Sequence, residues 1–195
     1  MVSSLTKQVD TRPHLLFDVA FFSILENNMF NFLKNKNNKK ILSPSEGYLM
    51  DLKTSKDEIF SQKTLGDGFY IKMRDSKVYA PISGTIESIF PTNHAYCIKG
   101  KNGEEILIHI GINTNGLKSG VIESTHRVKD SISHGDLLAE IDLQEFKRLG
   151  IEPEVYVFML NNLTIKNDYR NDKEYVYDGD CILEIEEVSN WNTSI

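Results

Sequence analysis

The sequence predicts an all-β protein, an antiparallel β-sandwich or barrel of short strands with Pro-Gly corners and one or two short helices. From residue 41 onward, short segments rich in Ile, Val, Tyr and Phe alternate with Gly, Pro, Asn and Asp, a pattern typical of strands and turns. Segments 41–49 and 78–86 share the spacing hydrophobic-x-small-Pro-x-x-Gly-x-hydrophobic. Because proline donates nothing to a sheet ladder and glycine permits bends, each copy predicts a corner where a strand enters.

The predicted strands are 41–52, 68–73, 77–80, 84–90, 94–100, 104–110, 137–142, 154–160 and 181–187. Asn102-Gly103 supplies the positive φ angles that a tight hairpin turn requires, so the strands on either side are expected to pair antiparallel. A short helix is predicted over 142–149, where Asp142 caps the start and Gly150 ends it.

The first 40 residues differ in composition from the rest. An apolar segment over 15–33 is followed by the charged, Asn-rich run 34–40, which cannot join a core. We predict an N-terminal extension and linker over 1–40, one domain over 41–188 and a tail over 189–195. The segment from Met29 resembles a chain start, so residues 1–28 are expected to be dispensable for function.

Composition narrows the classes of function. The formal charge of −6, from 22 basic and 28 acidic residues, gives no field that would attract nucleic acid or anionic lipid. The apolar segment 15–33 contains Asp18, Glu26 and several asparagines, which make it too polar to span a membrane. The two cysteines, Cys97 and Cys181, form no C-x-x-C pattern. We therefore expect a cytoplasmic protein with no direct membrane insertion, no metal and no cofactor.

Two of the five histidines stand out by position. In the hairpin around Asn102-Gly103, His94 and His109 fall near the strand ends away from the turn, where side chains lie within ~4.5–8 Å of each other. Two close imidazoles can share an anion or a metal, and a neutral imidazole is a nucleophile near neutral pH. Strand histidines are also common as hydrogen-bonded packing residues, and the spacing leaves both interpretations open.

A set of ordered motifs adds a resemblance to a known family. The motifs are GDG at 66–68, APISGTI at 80–86, TNHA at 92–95, ILIHIGINT at 106–114, GD at 135–136 and ID at 141–142. Over roughly 41–187 they resemble the glucose-type enzyme IIA component of the bacterial phosphoenolpyruvate-dependent sugar phosphotransferase system. The ordered set is far more specific than any one motif.

This resemblance implies a phosphoryl carrier for sugar uptake and phosphorylation. It implies that His109 accepts a phosphoryl group from the phosphorylated histidine phosphocarrier protein and donates it to a cysteine of enzyme IIB. His94 would stabilise the phosphate and Thr92 would hydrogen-bond nearby. Because phosphoryl transfer asks mainly for alignment and charge stabilisation, a second imidazole and the backbone N–H groups around Gly111 suffice without a metal.

Partner docking is expected at an apolar surface around the histidines. The predicted partner-binding residues are Asp67, Phe69, Phe90, Ile108, Ile110, Gly111 and Asn113. The family usually has aspartate where this chain has Asn113, so one acidic contribution is absent while Asp67 remains. We expect phosphoryl transfer to survive with altered partner affinity.

Three alternatives stay open at this point. A phosphorylation-dependent regulator that only binds partners would use the same His109. A biotinyl or lipoyl carrier domain would modify Lys72 in the segment 70–73, but its lysine should lie in a turn and Lys72 falls inside a predicted strand. A zinc hydrolase would need three protein ligands, and the sequence has neither H-x-H nor H-E-x-x-H.

Overall fold

The computed structural model describes residues 39–101 and 103–186. Two helices are described, α1 (Glu58–Ser61) and α2 (Leu143–Leu149), with 3₁₀ turns at Leu52–Thr54 and Pro91–Asn93. The strands are β1 (Lys39–Leu42), β2 (Gly47–Asp51), β3 (Gly68–Met73), β4 (Lys77–Tyr79), β5 (Gly84–Ile89), β6 (Ala95–Gly100), β7 (Glu105–Ile110), β8 (Ile122–Glu123), β9 (Ser131–Ile132), β10 (Leu137–Ile141), β11 (Glu154–Met159), β12 (Ile165–Asp168), β13 (Tyr175–Val176) and β14 (Cys181–Ile185).

These strands form three antiparallel sheets. The largest has eight strands in the order β13-β2-β3-β11-β7-β6-β5-β9, and two three-stranded sheets have the orders β1-β14-β12 and β4-β10-β8. The paired strands are antiparallel in each sheet. The predicted all-β class with short helices is confirmed.

The central strands of the eight-stranded sheet, β3, β11 and β7, are largely buried on both faces. In β11, Val155 and Val157 join the main core, which also includes residues of the smaller sheets such as Val78 and Leu183. The alternate residues of β11 face the other way, as the two-residue period of a strand requires. They belong to a second group, called here the outer cluster, which comprises Leu52, Phe60, Tyr70, Ala95, Leu107, Tyr156 and Phe158.

The predicted helix and hairpin are both present. Asp142 accepts hydrogen bonds from the backbone N–H groups of Gln144 and Glu145 at the start of α2, and Gly150 ends the helix with φ of 69°. Strands β6 and β7 pair antiparallel with Ala95 opposite His109. This register is shifted by one residue from a turn closed symmetrically at Asn102-Gly103, because the last paired residues are Lys99 and Glu105, which are separated by an odd number of residues.

Several boundaries differ from the predictions. Strand β1 begins inside the predicted linker, with Lys39 opposite Ile185 and Lys40 opposite Glu184. The predicted strand over 41–52 is divided between β1 and β2, because the Pro44 corner interrupts it. Helix α1 and strands β8, β9, β12 and β13 were not predicted, since two to four residues carry too little periodicity to read.

The remaining terminal predictions lie outside the described residues. They are the N-terminal extension up to residue 38 and the tail over 189–195. Among the described residues, no helix combines the length and the apolar character that a membrane-crossing segment needs.

Candidate functional site

The hairpin of β6 and β7 brings two imidazoles together. His109 lies in β7 opposite Ala95, and His94 immediately precedes β6. The N–H of Ile110 donates to the carbonyl of His94 at 2.7 Å, which ties the residue to the end of β7. The ring centroids of His94 and His109 are 5.3 Å apart in an edge-on arrangement. The two rings therefore lie within the distance expected from the strand pairing.

Backbone carbonyls set the tautomer of both rings. Nδ1 of His109 lies 2.9 Å from the carbonyl oxygen of Gly111, and Nδ1 of His94 lies 2.6 Å from that of Pro91. A carbonyl oxygen only accepts, so each Nδ1 carries the hydrogen and donates it. In the neutral rings, Nε2 therefore has the free lone pair, which is the electron pair that a nucleophile needs.

Gly111 is required by the backbone that holds His109. Its φ of +68° lies in the left-handed region, and a Cβ there would lie 2.7 Å from Cγ2 of Thr114. Its N–H donates to the carbonyl of Glu154 at 2.7 Å while its own carbonyl accepts from His109. Gly111, two residues after His109, thus provides the backbone conformation that holds the His109 ring.

The substitution Gly111→Ala is expected to lower the free energy of unfolding by about 1–3 kcal/mol, because alanine is strained at this φ and crowds Thr114. Chemical denaturation of the variant and the unsubstituted protein measures this difference. Gly103→Ala is the matched control, since its φ is also positive but a Cβ there meets nothing within 4 Å. A loss no larger than that of Gly103→Ala would contradict the role given to the close contact.

Thr92 joins the two histidine segments at a strained position. Its φ is 68°, which is uncommon for a β-branched residue. Its hydroxyl donates to the carbonyl of Thr114 at 3.2 Å and lies 3.0 Å from Nδ1 of His94, from which it accepts. These two hydrogen bonds offset the backbone strain and fix the His94 ring.

The environment keeps His109 neutral. Burial, and after it the neighbouring His94, lower the pKa of His109 from 6.5 to about 4, against weaker opposing effects of the Gly111 carbonyl and Asp57. Desolvation penalises the charged imidazolium. At neutral pH the ring is therefore in the form that carries a nucleophilic Nε2.

We expect the ring protons of His109 to titrate with a midpoint near pH 4 in NMR spectra of the free protein. The imidazole of His109 binds a proton at higher pH in the unfolded chain than in the folded protein. Its contribution to the free energy of unfolding is therefore fully present above about pH 6.5 and is lost as the pH falls toward 4. Unfolding measurements on the protein and on His109→Gln should diverge in this window. A midpoint near the ordinary value would contradict the proposed burial effect.

A cavity of about 480 Å³ opens beside the two rings. It is lined by Asp57, Phe60, Phe90, Pro91, His94, His109, Asn113, Thr114 and Asn115. The ring centroid of Phe60 is 5.1 Å from that of His109, and the ring centroid of Phe90 is 5.8 Å from that of His94. Each imidazole is thus flanked by a phenylalanine.

Sequence reasoning missed Asp57 and Phe60. Asp57 caps α1 by accepting from the N–H groups of Ile59 and Phe60. An aspartate followed by a glutamate and an apolar pair, as in residues 57–60, is a helix-start signal, and it was the sequence feature that could have located this part of the site.

The prediction that Phe69, Ile108 and Ile110 form a docking face is wrong. Each has 0% exposed surface and belongs to the main core. Ile108 and Ile110 flank His109 in β7, so the strand period directs them to the opposite face of the sheet. Phe90 is 43% exposed and remains accessible to a partner.

The carboxylate at the cavity is that of Asp57 and not that of Asp67. Asp67 contacts Lys63 at 2.6 Å and Arg170 at 2.9 Å, and it does not line the cavity. Asn113 does line it, with an exposed side chain and a φ of 60°. Asparagine tolerates this left-handed conformation better than most residues.

A biotinyl or lipoyl carrier domain would need its modified lysine in a turn, and a zinc hydrolase would need three protein ligands. Lys72 lies inside β3 and not in a turn, as the sequence predicted. In the part of the chain that the structure describes, no three His, Cys, Asp or Glu side chains converge as a metal site would require.

Comparisons with known proteins show which family the chain resembles. The family model described as phosphoenolpyruvate-dependent sugar phosphotransferase system, EIIA 1, matches residues 39–165. The structure of glucose permease IIA from Mycoplasma capricolum superposes with a TM-score of 0.69 and 33% identity, covering 75% of this chain and 95% of that one.

Two curated relatives extend the comparison. The glucose-specific EIIA component of Halalkalibacterium halodurans is 41% identical over 55% of this chain and 62% of its own length. The β-glucoside-specific EIIBCA component of the same organism is 35% identical over 75% of this chain, but the chain spans only 23% of that relative.

These matches and the two-histidine site define a phosphotransferase component of the sugar phosphotransferase system. The chain belongs to the EIIA 1 family of that system.

Proposed function

We propose that this protein accepts a phosphoryl group on Nε2 of His109 from the phosphorylated histidine phosphocarrier protein. It then passes the group to a cysteine of an enzyme IIB during sugar uptake and phosphorylation. The observation that carries this proposal is the hydrogen bond from Nδ1 of His109 to Gly111. It leaves Nε2 with its lone pair beside an open cavity, in a ring that is neutral at pH 7.

The transfer needs no proton from Nε2. The lone pair forms the new N–P bond while the N–P bond of the donor breaks and its electron pair returns to the donor imidazole. In phosphorylated His109, Nδ1 keeps its hydrogen and still donates it to the Gly111 carbonyl. The ring therefore carries a positive charge, which makes the imidazole a good leaving group. A cysteine thiolate then attacks phosphorus, and the N–P electron pair returns to Nε2.

His94 is the group that stabilises the charge in this proposal. Its ring lies 5.3 Å from that of His109, centroid to centroid. With a hydrogen on Nε2, His94 would donate a hydrogen bond to a phosphoryl oxygen carried by His109 and so stabilise its negative charge. The Nδ1 contacts with Pro91 and Thr92 hold the ring in place for this role.

Partner proteins would dock on the apolar side chains around the cavity. Phe90 is 43% exposed and Ile59, beside Phe60 on α1, is 54% exposed. Exposed apolar groups around a polar centre are typical of docking sites. An enzyme IIB partner is supported by the β-glucoside-specific EIIBCA relative, whose name joins the A component to B and C components in one protein.

The deciding experiment incubates the protein with labelled phosphoenolpyruvate, the general phosphotransferase enzyme and the phosphocarrier protein. We expect acid-labile label on the peptide that contains His109, and its loss when an enzyme IIB with a reactive cysteine is added. Absence of label, or label on a different residue, would refute the proposal. Retention of the label in the presence of several enzymes IIB would favour a purely regulatory role.

A further inference from the structure

A chain of polar side chains runs through the outer cluster beneath the His109 side of the cavity. Glu154 is 4% exposed, and its carboxylate accepts a hydrogen bond from the Tyr156 hydroxyl at 2.7 Å. The Tyr156 oxygen accepts in turn from Ser55 at 3.2 Å. The Ser55 oxygen then accepts from the backbone N–H of Asp57 at 3.2 Å.

The direction of these hydrogen bonds is fixed. A carboxylate only accepts, so the Tyr156 hydroxyl must donate to it. Burial raises the pKa of Tyr156 far above its ordinary value, and its hydrogen bond to Glu154 raises it further. The hydroxyl therefore keeps its hydrogen, and its oxygen is free to accept from Ser55.

The far end of this chain is part of the site. Asp57 caps α1 and lines the cavity, and Phe60 on α1 contacts the His109 ring edge-on. Tyr156 lies directly opposite His109 in the sheet and packs against Phe60, with ring centroids 4.8 Å apart. The backbone of Glu154 also accepts from Gly111, which holds His109 itself. Residues on β11 thus contact Phe60, which packs against the His109 ring, and Gly111, whose carbonyl accepts a hydrogen bond from it.

We propose that Glu154, Tyr156 and Ser55 are positioning residues for phosphoryl transfer, whose hydrogen-bonded chain fixes Asp57 and Phe60 against His109. The inference rests on the proposed function of His109. Without this chain, the segment that carries α1 would keep its apolar packing and the hydrogen bond between Thr54 and Tyr70, but Ser55 would lose its hydrogen bond to Tyr156 on β11. The orientation of the His109 ring relative to the incoming phosphoryl group would then vary.

Two variants interrupt the chain at different points. Ser55→Ala removes the half-buried hydroxyl that connects Tyr156 to the Asp57 backbone, and Tyr156→Phe removes the tyrosine hydroxyl while keeping the ring. Each is expected to lower the rate of His109 phosphorylation at saturating phosphocarrier protein about tenfold, the scale of a small misalignment of a nucleophile. The concentration of phosphocarrier protein at half-saturation should change less than the rate, because the docking side chain Phe90 lies outside α1.

The chain offers matched controls. Tyr70 stacks on Tyr156, but its hydroxyl contacts Thr54, so Tyr70→Phe is expected to keep the unsubstituted rate. Glu154→Gln keeps an oxygen acceptor for Tyr156 and is expected to retain the rate that Glu154→Leu loses. Rates are expressed per folded molecule after thermal unfolding of each variant, which separates positioning from stability.

The positioning role is refuted if Ser55→Ala and Tyr156→Phe phosphorylate at the unsubstituted rate, and the proposed function of His109 would then still stand. An equal loss of phosphorylation rate in Tyr70→Phe would also refute the positioning role. If the unsubstituted protein accepts no phosphate, the proposed function fails first. The NMR Overhauser contact between the Phe60 and His109 rings still tests the geometry in that case: loss of the contact in Ser55→Ala supports the chain, and retention overturns it.

Discussion

Replacement of His109 by alanine is expected to abolish phosphoryl acceptance, lowering the labelling rate by at least about 10³-fold, as removal of a nucleophile does. His94 also has an Nε2 lone pair, but it is only 6% exposed and cannot replace His109 in contact with a partner protein. The measurement is incorporation of labelled phosphate from phosphoenolpyruvate through the phosphocarrier protein. Cells that depend on this protein should lose sugar uptake in parallel.

The matched control is His134→Ala, which removes an exposed imidazole away from the cavity. It should label at the unsubstituted rate. His109→Ala removes a half-buried ring that contacts Gly111 and Phe60, so its thermal midpoint should be lower than that of His134→Ala, and labelling is expressed per folded molecule. Normal labelling of His109→Ala would show that another residue is the acceptor and would end the assignment.

Proximity of the two histidines could be predicted from local rules. Alternation of side chains along strands and the Asn-Gly signal give a hairpin whose register is shifted by only one residue from the observed one. A shift of one residue exchanges the two faces of a strand. This exchange does not move the His94 ring away from His109, because His94 lies just outside β6. The 3₁₀ turn and the hydrogen bond to the Pro91 carbonyl fix the orientation of the His94 ring.

The surroundings of the site could not be predicted in the same way. Residues adjacent to His109 in sequence, such as Ile108, are on the opposite face of the sheet because strand side chains alternate. The residues adjacent to it in space come from segments distant in sequence, such as Phe60 on the four-residue helix α1. Helices this short leave no readable periodicity.

Two further features depend on contacts that sequence patterns do not show. Asp67 was expected near the histidines, but its partner Arg170 lies 103 residues further along the chain. Thr92 has a backbone conformation that its residue type disfavours. Such disagreement between local preference and structure is expected at functional sites, where surrounding contacts hold a strained conformation.

Replacement of His94 by alanine is expected to lower the rate of transfer to and from His109 by roughly 10²–10³-fold, the usual cost of losing one charge-stabilising donor. The acceptor itself remains, so prolonged incubation should still label His109. The effect should be larger on the transfer rate than on the affinity for the phosphocarrier protein. Rapid-quench measurement of single-turnover transfer separates the two quantities.

The variant also tests the electrostatic coupling between the rings. Burial is the main cause of the low pKa of His109 and would persist, but the contribution of His94 would be removed. The NMR midpoint of His109 should therefore rise above about 4 in His94→Ala. His126→Ala is the control, because Nε2 of His126 is hydrogen-bonded to the Leu137 carbonyl and the ring does not line the cavity. Unchanged transfer and an unchanged midpoint in His94→Ala would mean that the two imidazoles are neighbours without a shared role.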